Sequence, residues 1–158
     1  MKKNNINIFI IILSLYFVFK FCIPNVQAGE KLNFFSLKNN EVNLRIGPSF
    51  EHPIKLIYKK RYLPVIVIDK SETWRKIKDF ENNSGWIHIT QLSKKKSAIN
   101  INNNSILYNK ATIYSKPIAK LEAGRLVLIK KCKLDWCKIK SGKFSGWISK
   151  NFLWGKIK

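Results

Sequence analysis

Side chains able to do chemistry are few in this 158-residue chain: three cysteines, Cys22, Cys132 and Cys137, and two histidines, His52 and His88. Cys132 and Cys137 flank Lys133, Leu134, Asp135 and Trp136. At that spacing the two ends of a hairpin face each other at the roughly 4.5–5.5 Å that a disulfide tolerates. Closing so short a loop stabilises by about 2 kcal/mol on the chain-entropy account. The alternatives are a redox dithiol, whose cysteines usually stand closer, and half of a zinc site, which would need His52 and His88 from another part of the chain. Glu51 beside His52 is the one acid–histidine neighbour pair, and no candidate nucleophile stands at useful spacing from either histidine. The sequence has no Gly-rich phosphate loop, no H-E-x-x-H and no G-x-S-x-G. It therefore predicts a protein that is not an enzyme, with no catalytic residues, no cofactor and no metal.

The elements that must position these residues are written twice. WRKIK at 74–78 is followed by SGWI at 84–87, and WCKIK at 136–140 by SGWI at 145–148. Alternation at period two on either side of a Gly-containing loop predicts a β-hairpin in each copy. Upstream, residues 42–48 align without a gap with 111–117, and 65–68 with 127–130. On this alignment the stretch from Pro48 to Trp74 spans 26 positions and that from Pro117 to Trp136 spans 19, an excess of seven in the first copy. Long loops in small folds carry ligand contacts. Phe50, Tyr58, Arg61 and Tyr62 in this stretch are the expected binding residues, with closure of the ends of the fold as the structural alternative for Phe50 and Tyr58. Trp74, Trp86, Trp136 and Trp147 recur at repeated positions and are expected to be packed. His88 has Ser149 as its counterpart, which predicts a structural or surface role.

Leu32, Phe34, Phe35 and Leu37 predict a lead-in strand, so the first domain covers 29–93. A basic, Asn-rich stretch at 94–110 reads as a short connector with strands of its own, and the second domain covers 111–158. No sustained 3.6-residue periodicity follows the N-terminal segment, and the fold class is all-β. That segment reads as an export signal over 1–28: Lys2 and Lys3, an apolar run at 6–19, then Val26, Gln27 and Ala28, with cleavage after Ala28. This run of fourteen residues, broken by Asn7 and Ser14, falls short of the roughly 20 that span a bilayer, so membrane contact would be transient. Cleavage also removes Cys22 and leaves Cys132 and Cys137 as a pair, suited to an oxidising compartment.

The net charge is +21, and removal of Lys2, Lys3 and Lys20 with the signal leaves +18. Such a charge attracts polyanions in a salt-dependent way. Yet 26 of the 30 basic residues are lysine, whereas phosphate and base readers lean on the arginine fork. Sixteen asparagines and abundant isoleucine point to AT-rich codon usage as the source. Nucleic acid is not the expected partner; nonspecific binding of a polyanion or nucleic acid through the charge is the alternative.

The repeated unit resembles bacterial SH3-like domains, which read V-N-L-R-x-G-P, a variable stretch, an apolar strand, then W-x-K-I and G-W-I. The resemblance covers nearly all of 40–155. It is similar in particular to periplasmic tandem SH3-like proteins of α-proteobacteria, through LPVIVI at 63–68, WRKI at 74–77, DWC at 135–137 and LWG at 153–155. Two departures stand out: Arg61 and Tyr62 occupy a place where such units often have Gly, and 111–117 lacks the Arg and Gly of 42–48. The resemblance implies two tandem small SH3-like barrels, each ending in a short helical turn and strand. It also implies a periplasmic or secreted, non-enzymatic module that recognises cell-wall peptide or glycan, or a periplasmic protein. An accessory role beside a cell-wall hydrolase is the alternative it leaves open.

Overall fold

The computed structural model describes residues 33–155 and 157; the expected signal at 1–28, its cleavage site after Ala28, and Cys22 lie outside the described residues. The first barrel consists of β1 (Asn33–Leu37), β2 (Val42–Arg45), β3 (Ile54–Tyr58), β4 (Pro64–Ser71), β5 (Trp74–Lys78), β6 (Ser84–His88) and β7 (Leu92–Ser93). A 3-10 turn, Ile89–Gln91, joins the last two. The second consists of β8 (Ser97–Asn100), β9 (Ser105–Tyr108), β10 (Pro117–Leu121), β11 (Leu126–Lys133), β12 (Trp136–Ser141), β13 (Phe144–Ser149) and β14 (Leu153–Gly155), with a 3-10 turn at Lys150–Phe152. The strand orders are β3-β2-β6-β5-β4-β1-β7 and β10-β9-β13-β12-β11-β8-β14, the same topology twice. The two all-β, tandem barrels expected from the repeat are present.

Period-two alternation sends one set of side chains inward. Leu44, Val65, Ile77 and Ile87 are fully buried in the first barrel, and Leu107, Val127, Ile139 and Ile148 take the same places in the second. The repeated Gly-Trp has a steric cause. A Cβ on Gly85 would stand 2.6 Å from the carbonyl oxygen of Arg45, and one on Gly146 would stand 2.6 Å from that of Tyr108. Only glycine lets β6 and β13 approach their neighbours so closely.

The strand register corrects the domain boundaries. Residues 94–110 are not a separate connector, because they supply β8 and β9 of the second barrel. β8 pairs with β11 and β14 as β1 pairs with β4 and β7. The counterpart of β2 is therefore β9, Ser105–Tyr108, and not the run that begins at Ala111. The gapless alignment was displaced by six residues, and the excess of seven disappears with it. Loops 46–53 and 109–116 are eight residues each. Real differences are single residues: the β3–β4 link is 59–63 against 122–125, and the turn between equivalent paired positions is 79–83 against 141–144.

A disulfide joins Cys132 to Cys137, which pair directly across β11 and β12 with a Cα separation of 4.0 Å. The bridge closes the β11–β12 hairpin, the pairing expected from the spacing. At the matching hairpin of the first barrel, Lys70 pairs with Arg75, and the Arg75 guanidinium donates to the carbonyls of Glu72 at 2.9 Å and Trp74 at 2.7 Å.

The barrels share packing. Ile99 of β8 belongs to the apolar cluster of the first barrel, and Leu126 of β11 packs on its margin. Trp154 of β14 meets the ring of Phe34 edge-on at 5.2 Å and that of Phe80 at 6.3 Å.

Candidate functional site

The loop 46–53 is shaped by Arg45 at the end of β2. Its guanidinium donates to the carbonyl of His52 at 2.6 Å, and the Ile46 N–H donates to the carbonyl of Pro53 at 3.2 Å. The imidazole of His52 lies against Gly47, in the space that a Cβ there would share. So closed, the loop lays Phe50 over Trp74 with ring centroids 4.9 Å apart, edge to face, and against His88 at 5.5 Å. Trp74 and His88 are cross-strand partners in β5 and β6, their rings 5.3 Å apart. The Arg45 guanidinium lies 5.8 Å from the centre of the Phe50 ring. Trp74 is 6% exposed and Phe50 is 68% exposed: a packed base carrying a presented ring.

These rings form one side of a groove of about 150 Å³, which Glu41, Arg45 and Thr90 also line. His88 Nδ1 lies 2.8 Å from Thr90 Oγ1, in a hydrogen bond whose direction follows the ring tautomer. An aromatic face with a cation and a carboxylate at its rim suits a ligand with an apolar or sugar face and charges of both signs. Among the described residues, no group of three or more His, Cys, Asp and Glu side chains could hold a metal ion.

The four residues singled out from sequence are not brought together. Phe50 is in the groove. Tyr58 is not exposed: at 7% exposure it closes the core, and its hydroxyl donates to Asp79 Oδ2 at 2.9 Å. The same Asp79 accepts the backbone N–H groups of Glu81 and Asn83 at 2.9 and 2.8 Å, so it fixes the turn at 79–83. Burial pushes the Tyr58 hydroxyl far above its ordinary range, and the neighbouring carboxylate of Asp79 adds to the shift. Arg61 and Tyr62 lie in the β3–β4 link. Arg61 Nε donates to the carbonyl of Lys38 at 2.8 Å and its guanidinium covers the Tyr62 ring at 4.7 Å, which ties the link to the barrel. Tyr62 takes φ of 65°, the left-handed place that Gly124 takes at 76° in the second barrel.

Sequence reasoning passed over His88, Arg45 and Trp74 as site residues. The hairpin register would have shown one of them: pairing outward from Lys78 and Ser84 sets His88 opposite Trp74. The other repeated tryptophans, Trp86, Trp136 and Trp147, are only partly buried, since they alternate with the inward isoleucines. In the second barrel Trp136 meets Tyr108 edge-on at 5.8 Å; Ser149 replaces His88 and the exposed Ile113 replaces Phe50.

No curated protein matches the chain in sequence. Among solved structures, it is similar to NlpC2 from Trichomonas vaginalis, with 13% identity over 82% of this chain and 50% of that one and a TM-score of 0.37. NlpC1 from the same organism gives 12% identity over 80% and 47%, also with a TM-score of 0.37. The chain thus spans about half the length of these structures. The description "Bacterial SH3 domain" fits residues 38–94 and again 102–155. With the same seven-strand topology in both segments, the chain belongs to the bacterial SH3 domain family as a tandem pair.

Proposed function

We propose that the protein is an exported, non-catalytic module that recognises a cell-envelope ligand through the groove of its first barrel. Bacterial SH3 domains are commonly cell-wall binding modules, and the Cys132–Cys137 disulfide fits an extracytoplasmic protein. The observation that carries the reading is Phe50, exposed yet held against Trp74 and His88 by a loop that Arg45 closes. Exposing a large ring costs apolar burial, and a ring held rigidly loses little entropy when it binds. The ligand class is wall peptide or glycan: the rings take a sugar face or an apolar side chain, and Glu41 and Arg45 take an ammonium and a carboxylate. Export places the mature N-terminus at Gly29, which N-terminal sequencing of envelope protein checks.

Co-sedimentation with purified cell-wall sacculi tests the reading. The wild-type protein should be retained at salt concentrations that release proteins bound by charge alone, and Phe50→Ala should lose that salt-resistant fraction. Equal retention of both proteins across the salt series would leave only diffuse attraction by the positive charge. Release of soluble wall fragments during incubation would refute the non-catalytic part.

A further inference from the structure

At the end of the barrel where Tyr58 and Asp79 fill the first copy, the second is open. Leu121 replaces Tyr58, Ser141 replaces Asp79, and the turn, one residue shorter, runs through Gly142 at φ of 55°. The result is a cavity of about 450 Å³ with Lys120, Arg125 and Lys143 in its lining, an apolar wall from Leu121 and Phe144, and one acid, Glu122. Three cations against one carboxylate make its lining positive. Register places Ile57 of the first barrel where Lys120 stands, and the matching backbone bonds of Leu37 and Asn100 place Leu63 where Arg125 stands. The turn that corresponds to Lys143 carries Asp79 and Glu81. At these three places the second copy has cations where the first has apolar and acidic residues, while the first carries its own cations, Lys59, Lys60 and Arg61, in the β3–β4 link.

The cavity wall is also held from beneath. Asn100, fully buried at the place of Leu37, directs its Nδ2 to the carbonyls of Asn102, Leu121 and Glu122 at 2.8, 3.2 and 2.9 Å, and its Oδ1 accepts from Ser105 Oγ at 2.8 Å. Its backbone N–H donates to the carbonyl of Arg125 and its carbonyl accepts from Gly124 N–H, at 2.9 and 2.8 Å. A buried amide in place of a leucine thereby fixes the segment 121–125 that carries the cations.

We propose that the cavity between the β10–β11 link and the β12–β13 turn of the second barrel is a binding site for a compact polyanion, a ligand with two or more carboxylate or phosphate groups. Lys120, Arg125 and Lys143 supply charge-assisted hydrogen bonds and Phe144 a face for the ligand's carbon frame. The site is independent of the Phe50 groove.

Amide chemical shifts of the whole protein, titrated with citrate and separately with tripolyphosphate at constant ionic strength, test it. Saturable shifts should centre on residues 120–125 and 141–144. Whichever probe binds more tightly identifies the carboxylate or the phosphate source. The exposed double substitution Arg125→Gln with Lys143→Gln should weaken binding by at least about tenfold. Lys59→Gln with Lys70→Gln, which makes the same charge change on the first barrel, should bind as wild type. Equal losses in the two variants, shifts spread over both barrels, or no saturation with either probe would overturn the proposal.

Discussion

The two barrels have the same strands, the same buried isoleucines and the same close-approach glycines, yet they differ wherever a loop meets an end of the core. The first closes one end with Tyr58 on Asp79 and presents aromatic rings at its groove. The second leaves the corresponding end open and basic, and its hairpin is bridged by a disulfide where the first uses the hydrogen bonds of Arg75. Duplication has preserved what the sheet requires and released what it does not. Positions that face the interior or touch a neighbouring backbone are constrained by packing density, whereas the plugs and tips can diverge into separate surfaces.

The comparison breaks most visibly at its plug. Tyr58→Ala removes a buried ring and one partner of buried Asp79, and should cost about 3–5 kcal/mol in urea unfolding. A cost under about 1 kcal/mol would mean that the plug is not what separates the copies. Next comes the staple: Cys132→Ser should cost about 2 kcal/mol, and Arg75→Ala, at the matching hairpin, less than about 1 kcal/mol. Equal costs in denaturant titrations would show that covalent and hydrogen-bonded closure are interchangeable here.

Tyr58→Phe sharpens the contrast by pH. The hydroxyl keeps its proton in the folded state above pH 10.0, where the unfolded chain gives it up. Its contribution is therefore complete below that pH and is lost as pH rises further. The variant should be about 1 kcal/mol less stable than wild type at neutral pH, and the gap should narrow at about pH 11; a gap that widens would contradict the burial of the hydroxyl. The smallest stability effect belongs to Phe50→Ala, within about 0.5 kcal/mol, with loss of salt-resistant wall binding. Ile113→Ala, its counterpart, should change neither. Equal loss of binding with Ile113→Ala would assign the ligand to both barrels.

The repeat, its hairpins, its fold and the cysteine pair were legible because period-two alternation and the Gly-Trp steps are direct imprints of sheet geometry. The register of the second copy was not. Ala111 to Pro117 resembles Val42 to Pro48 in its apolar spacing, while the true counterpart, Ser105 to Tyr108, keeps Leu107 but has a buried serine, Ser105, at the other inward place. The six-residue displacement created an excess of length and drew attention to the stretch holding Tyr58, Arg61 and Tyr62. Of the two readings of Tyr58, ligand contact or closure of the barrel end, its burial matches closure; sequence left both open because a tyrosine at the end of a strand can point either way, and its acceptor, Asp79, lies 21 residues on. Phe50 is exposed in the groove, but the Trp74 and His88 beneath it read as packing or surface, since a side chain can be buried and still support an exposed one.

The placement of Ile99, Leu126 and Trp154 against the first barrel makes the completion of that barrel depend on residues that follow it in the chain. Its seven strands end at Ser93, but its apolar cluster draws on Ile99 and Leu126, and the rings of Phe34 and Phe80 on Trp154, all of them in the second barrel. On its own it is thus incomplete on one flank, and truncation just before Leu153 should leave that flank wet in both copies at once: β8 would lose its β14 partner, and Phe34 and Phe80 their shared tryptophan. Strand β14 thus completes packing in both barrels, so that a change at Trp154 should be felt at Phe34 and Phe80 as well as in its own sheet.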